Sequence, residues 1–362
     1  MEETRTLPES VHMWSDRLAA EPPRADEMRR WMCRAGAPHH LAKCNREVYE
    51  FAVDVLDLPE VAAALPGAVP QRRPRYQAAE QQFAFMMTDL DGELSRAETG
   101  RLIRMVLHAQ QGAMLGVAVT PQNYIVGIVF GTAAAAAGEP PRSLPSVPLV
   151  RDADRFTCEM ATRLRDWLGL PSQNPGGWLP DRDQARGTQP LAAPEQAARV
   201  EQVERVERVE QAVPRRREWS GPGEPPATWL GEALHPEELA YLAHGRDGRV
   251  VAEADVFENH WISAGRPPGE PADATRAYYR GLAERFESQA RQLGQVARQA
   301  VRGRLLRIVL DVEQGAVYYY RFKRNEYLVG VTMNQSRVSQ ADERLGDLVA
   351  GLLREDSGTE ER

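Results

Sequence analysis

The sequence predicts an α+β protein made of two copies of one domain, each a five-stranded antiparallel sheet in the order β-β-α-β-β-β-α with flanking helices. Three observations carry this. Residues 100–130 (GRLIRMVLHAQQGAMLGVAVTPQNYIVGIVF) and 303–333 (GRLLRIVLDVEQGAVYYYRFKRNEYLVGVTM) align without a gap and agree at 12 of 31 positions. A spacing of about two hundred residues is that of a duplicated domain and is too long for a solenoid, whose repeats run at roughly 20 to 50. Each copy also alternates with the period of two that marks strands, as in Leu306, Ile308, Leu310 and Val312 against Arg307, Val309, Asp311 and Glu313. Finally, 362 residues exceed what one compact core usually serves.

Within the repeat, the alternation breaks at Gln314-Gly315, where glycine permits a turn, and again at Arg324-Asn325-Glu326. The product is a three-stranded antiparallel meander, present twice. Ahead of the first copy, 24–37 has Met28, Trp31 and Met32 at helical spacing and reads as a short amphipathic helix. Residues 40–56 read as two strands joined near Asn45-Arg46, and the proline-broken 59–74 as a loop. Tyr76, Ala79, Phe83, Met86, Met87, Leu90 and Leu94 make one stripe, predicting a long helix over 75–99. After the meander, Phe156, Met160, Leu164 and Trp167 predict a closing helix over 152–168.

The stretch 171–226 is dominated by Pro, Gly, Gln and charge and contains ARVEQVERVERVEQAV, whose valines spread around a helix and make no stripe. It reads as a linker. The second domain begins near 227 with a short helix at Trp229. Next comes a hairpin turning at Asp247-Gly248, the strongest short hairpin signal. A helix over 272–302 is striped by Tyr278, Leu282, Phe286, Leu293 and Val296, and one over 339–353 closes the domain. The boundaries are therefore a tail at 1–23, domains at 24–170 and 227–354 around the linker, and a tail at 355–362.

Net charge is −7, unlike the basic balance of a nucleic-acid binder, and 43 of the 45 basic residues are arginine. The acidic start lacks the basic and apolar regions of a secretory signal. The longest apolar run is about 14 residues where a membrane span needs roughly 20. Cys33, Cys44 and Cys158 show no paired spacing and suit a reducing compartment. The expectation is a cytoplasmic protein.

Catalytic patterns are missing from the sequence. Lys43 and Lys323 follow Ala42 and Phe322, so neither completes a Walker loop. No GxSxG, HExxH or paired CxxC occurs. His39, His40 and Cys44 lie close together, but a fourth metal ligand is missing, and polar strand-edge residues are the simpler reading. His108 stands where the second copy has Asp311, a conceivable catalytic pair that reads more simply as two polar strand residues. Tyr318, Tyr319 and Tyr320, with Arg321, Lys323 and Arg324 beside them, could stack on nucleic acid, yet strands favour tyrosine in any case. We expect no enzyme activity, metal or cofactor.

The order of a hairpin, a long helix and a three-stranded meander resembles the Roadblock (dynein light chain) family, relatives of the longin and profilin-like folds. HGRDGRVVAEADV resembles the family's first hairpin, 272–302 its central helix, and 303–353 its meander and last helix. The first domain matches through 76–168, although its hairpin lacks Asp-Gly and a proline-rich insert precedes its last helix. The resemblance implies binding in place of chemistry: such domains pair through the central helix and the strand after it, and bacterial members regulate or scaffold Ras-like GTPases. It further implies a pseudo-dimer within one chain, with the strands of Arg101, Ile103 and Met105 and of Arg304, Leu306 and Ile308 joined. The central helices would lie side by side, and a partner face would carry Arg276, Arg280, Glu284, Glu287 and Arg291. The alternative is a peptide-binding chaperone of the type III secretion or YbjN-like class, which would not place a long helix between the hairpin and the meander.

Overall fold

A computed structural model describes residues 12–14, 29–45, 48–64, 69–95, 100–131, 148–178, 215–259 and 272–360. The expected turn at Asn45-Arg46 falls partly, and the ARVEQVERVERVEQAV segment wholly, outside these residues.

The first half runs β1 (His12–Trp14), β2 (His40–Asn45), β3 (Val48–Asp54), α1 (Pro59–Ala64), α2 (Val69–Ser95), β4 (Leu102–Ala109), β5 (Gly112–Thr120), β6 (Asn123–Phe130) and α3 (Pro148–Trp167). The second runs β7 (Arg217–Ser220), α4 (Thr228–Ala233), β8 (Tyr241–Arg246), β9 (Arg249–Asp255), α5 (Ala272–Ala300), β10 (Leu305–Val312), β11 (Gly315–Arg321), β12 (Glu326–Thr332) and α6 (Val338–Glu360). Of the helix expected over 24–37, residues 29–32 are helical and 33–36 are turn or bend, while 24–28 lie outside the described residues. α2 starts earlier than its stripe suggested and carries Pro74 inside it. Pro74 has no N–H to donate to the carbonyl of Pro70, so one bond of the helical ladder is missing there.

The expectation of two five-stranded sheets is corrected. All twelve strands form one sheet in the order β1-β3-β2-β6-β5-β4-β10-β11-β12-β8-β9-β7. Each half contributes six strands, the sixth being a short edge strand, β1 or β7, that the sequence reading did not contain. The second half mirrors the first about the central β4–β10 pair. The hairpin at Asp247-Gly248 forms as expected, both residues taking the positive φ that its two-residue turn requires (52° and 78°).

Helices cover both faces. On one, Phe83 and Met87 of α2 close over Gly116, Phe286 of α5 stacks on Tyr319, and the Tyr327 hydroxyl donates to the Ala283 carbonyl. On the other, Thr157 of α3 packs against Gly127 and Leu345 of α6 against Gly330. The repeat's alternation had marked half-buried strands, yet every residue of β4 and β10 is buried. The polar phase of those strands lies beneath α3 and α6 and is neutralised there. One hydrophobic core runs through both halves, and a smaller cluster around Trp31, Phe51, Ile125 and Phe156 fills the far end of the first.

Candidate functional site

The site begins at the β4–β10 seam. Val106 pairs with Val309, which is its own equivalent in the repeat. Met105 faces Leu310 and Leu107 faces Ile308, again as equivalents exchanged. A pseudo-twofold axis therefore passes through the Val106–Val309 pair. Ile103 and Met105 stand on β4 and Ile308 on β10, while Leu306 sits at a register shift between Leu305 and Arg307. Arg101 and Arg304 precede their strands, and each hands its amide across the seam: Arg101 N–H donates to Glu313 Oε2 (3.2 Å) and Arg304 N–H to Gln110 Oε1 (2.9 Å). Gln110 and Glu313 are equivalents too. The glycines in front, Gly100 and Gly303, hold φ near +90° against those same side chains, leaving no room for a Cβ.

The buried polar residues break this symmetry. Arg104 is 1 % exposed and binds Asp154 of α3 and, at 3.1 Å, Asp311 across the seam. Its equivalent Arg307 binds Asp342 of α6, with Nε 2.9 Å from Oδ1, and faces His108 across the seam. Burial would lower the Arg104 pKa, but Asp154 and Asp311 hold it well above its ordinary value. Burial, helped by Arg307, pulls His108 down to about 3, so its imidazole is neutral. Burial pushes Asp311 up to about 6, against the pull of Arg104 and of the Gly176 amide.

That amide belongs to a strap following α3. The Gly176 N–H donates to Asp311 Oδ2 at 2.6 Å, and Gln335 Nε2 reaches back to the Asn174 carbonyl at 2.9 Å. Residues 171–178, read from sequence as the start of the linker, are thus built into the seam, with Pro175, Gly176 and Gly177 buried. Composition hid this because Pro-Gly-Gly reads as linker wherever it packs. His108 and Asp311 do not form a catalytic couple, since each faces an arginine of the other half, and Arg104, His108, Arg307 and Asp311 are closed to solvent.

The other sequence candidates separate. His39 accepts from the Phe130 N–H at 2.9 Å, while the adjacent His40 pairs with buried Glu80 of α2 at 2.8 Å. Cys44 is fully buried with its thiol pKa raised, chiefly by burial. Among the described residues no cluster of three His, Cys, Asp or Glu could hold a metal. The three tyrosines are closed to nucleic-acid bases: Tyr318 and Tyr320 donate to α6 and Tyr319 to Glu287 of α5.

The five residues of the expected partner face lie on the flank of α5 above β9 to β11. Arg276 is buried, binding Asp255 (2.6 Å), Asp273 (2.9 Å) and Glu258 (3.0 Å). Arg280 binds Glu253, which also accepts from the Tyr241 hydroxyl. Glu287 accepts from Tyr319 and Arg321, Glu284 lies 3.5 Å from the Val250 N–H, and Arg291, 69 % exposed, leans on Glu287 at 3.7 Å. The clamp on Asp255 is itself duplicated: Arg73, the equivalent of Arg276, binds Asp54 and Asp57 as Arg276 binds Asp255 and Glu258.

The surface that α2 and α5 leave open is the groove between them. The helices run antiparallel, bridged by Gln82–Gln299 (2.6 Å) and Glu93–Gln289 (2.7 Å), and Arg75 donates to the Gln299 carbonyl (2.5 Å) at one end. Towards the other end a polar hollow of about 450 Å³ is lined by Glu93, Arg285, Ser288, Gln289 and Gln292. Phe85, half exposed, stands on α2 at the position equivalent to Ser288. The two helices thus lie side by side on one face of a continuous sheet with a polar groove between them. No family model, curated protein or solved structure matches the chain.

Proposed function

We propose that the chain is a non-enzymatic interaction protein of two Roadblock-like domains, built on 24–170 and 227–354 with β1, β7 and the strap added to them, that scaffolds or regulates a small Ras-like GTPase from the α2–α5 platform. The observation that carries this reading is the Val106–Val309 dyad with the two long helices paired on one face, the arrangement that the resemblance to Roadblock domains implies for a dimer. The class of partner rests on the resemblance. A cytoplasmic location goes with it, and no helix among the described residues is long and apolar enough to cross a membrane. The chaperone alternative is less well supported, because α2 stands between the β2–β3 hairpin and the meander.

The test is to measure binding of the purified full-length chain to Ras-like GTPases encoded beside it, loaded with GDP or with a non-hydrolysable GTP analogue. Binding should fall at least tenfold in Phe85→Asp and in Arg285→Glu, two exposed platform positions whose replacement leaves the core intact. Failure of every GTPase to bind in either nucleotide state would sink this reading.

A further inference from the structure

The outer strands of the sheet carry an inference independent of the platform. β1 and β7 lie at opposite ends of the sheet, yet they are the same short motif in the same place. The sequences are His-Met-Trp-Ser (12–15) and Arg-Glu-Trp-Ser (217–220). His12 pairs with Asp54 and Trp14 with Ala52 on β3, while Arg217 pairs with Asp255 and Trp219 with Glu253 on β9. Asp54 and Asp255 are equivalents, each the last residue of its hairpin and each held by the arginine at the matching position of its helix. In both halves, then, a basic or imidazole residue stands opposite the clamped aspartate, and two residues later a tryptophan takes the next site of the same strand face.

The seat is better built than its occupant. Both hairpins are fixed to their helices by arginine clamps, Arg276 buried and Arg73 half-buried, whereas Arg217, Glu218 and Trp219 are all exposed. Side-chain support for β7 includes the Arg217–Asp273 pair at 2.7 Å, exposed at both ends, and the Arg280 guanidinium 4.2 Å from the Trp219 ring centroid. A cleft of about 360 Å³ lies beneath, between β7 and α5, lined in part by Arg217, Trp219, Glu253, Asp273 and Arg280. A strand of four residues on an exposed edge is the part of a sheet most readily exchanged for another of the same pattern.

We infer that the outer edges of β3 and β9 are equivalent docking sites for an extended segment of the form basic-x-Trp-Ser, with β1 and β7 as resident occupants, and that a second copy of this chain supplies the exchanging strand. Main-chain ladder bonds give the affinity, and the tryptophan and the basic residue two positions before it give the register. The resident strands hold the sites by effective concentration, so exchange is seen when they are weakened or when copies are concentrated.

The experiment uses full-length protein carrying Arg217→Ser with Trp219→Ser, and fluorescent peptides of residues 214–222 and 10–18. The altered chain should bind both peptides at least tenfold more tightly than the unaltered chain, and replacing the peptide tryptophan with alanine should lose at least tenfold. Hydrogen exchange should place new protection on 249–255. Trp219→Ser alone, an exposed change confined to the resident strand, should strengthen binding in the same direction and decides the matter if the double variant folds poorly. Equal binding by altered and unaltered chains, indifference to the peptide tryptophan, or protection elsewhere would overturn the inference.

Discussion

Val106 and Val309 face each other across the β4–β10 pair and are the same residue of a duplicated sequence. An isologous contact inside one chain places each half where a second identical subunit would stand, so equivalent substitutions should have equivalent effects. Val106→Ala and Val309→Ala should each cost about 2 kcal/mol as buried truncations. The double variant should depart from additivity by roughly 0.5 kcal/mol or more because the two side chains share one site. Urea unfolding of the four proteins checks this, and strict additivity would count against direct packing.

The buried ion pairs predict an unequal response at equivalent arginines. Arg104 answers two carboxylates, Asp154 and Asp311, whereas Arg307 has Asp342 and faces a neutral histidine. Arg104→Met strands two buried charges and should cost more than Arg307→Met, with a loss of roughly 3–5 kcal/mol for an uncompensated buried charge. Adding Asp311→Asn to Arg104→Met should recover part of the loss in thermal or urea denaturation. No recovery would mean that Asp311 is satisfied without the arginine.

His108 and Asp311 give seam stability a pH dependence of mixed sign. The His108 pKa falls to about 3 in the folded chain, so the folded state binds fewer protons, and stability complete above the ordinary histidine pKa is lost as pH drops from there towards 3. The Asp311 pKa rises to about 6, so its contribution runs the other way: it favours the fold at low pH and is lost as pH rises from the ordinary carboxylate range through 6. His108→Asn removes the first effect alone. The variant should gain on the parent as pH falls below about 6.5, by at most ~1.4 kcal/mol per pH unit. A difference that stays flat down to pH 4.5 would show that His108 is protonated in the fold.

The strap makes a comparison between two glycines. Gly176 has φ +81° and the Trp178 indole where a Cβ would go, and its amide serves Asp311. Gly169 has φ +68° and open space. Gly169→Ala should cost about 1 kcal/mol for its backbone alone, while Gly176→Ala should cost roughly 2–3 kcal/mol through strain and the displaced indole. Only Gly176→Ala should also shift the acid limb of stability, by disturbing the bond to Asp311.

The sequence by itself determined the duplication, the order of hairpin, long helix, meander and closing helix, and the turn at Asp247-Gly248, because these rest on local periodicity and backbone permissiveness. The turn expected at Gln314-Gly315 forms one residue earlier, at Glu313-Gln314, with Gly315 opening β11. Even Arg104 and Arg307 left a trace, as identical arginines inside apolar strands of both copies. Tertiary structure alone decided that twelve strands make one sheet and that the alternating polar phase of β4 and β10 is buried beneath α3 and α6. It alone built the strap into the seam and turned Arg276 and Arg280 inward to Asp255 and Glu253. The physical reason is range: a period of two says that a strand has two faces, but what covers the second face, and which distant carboxylate meets a buried arginine, depends on partners far away in the chain.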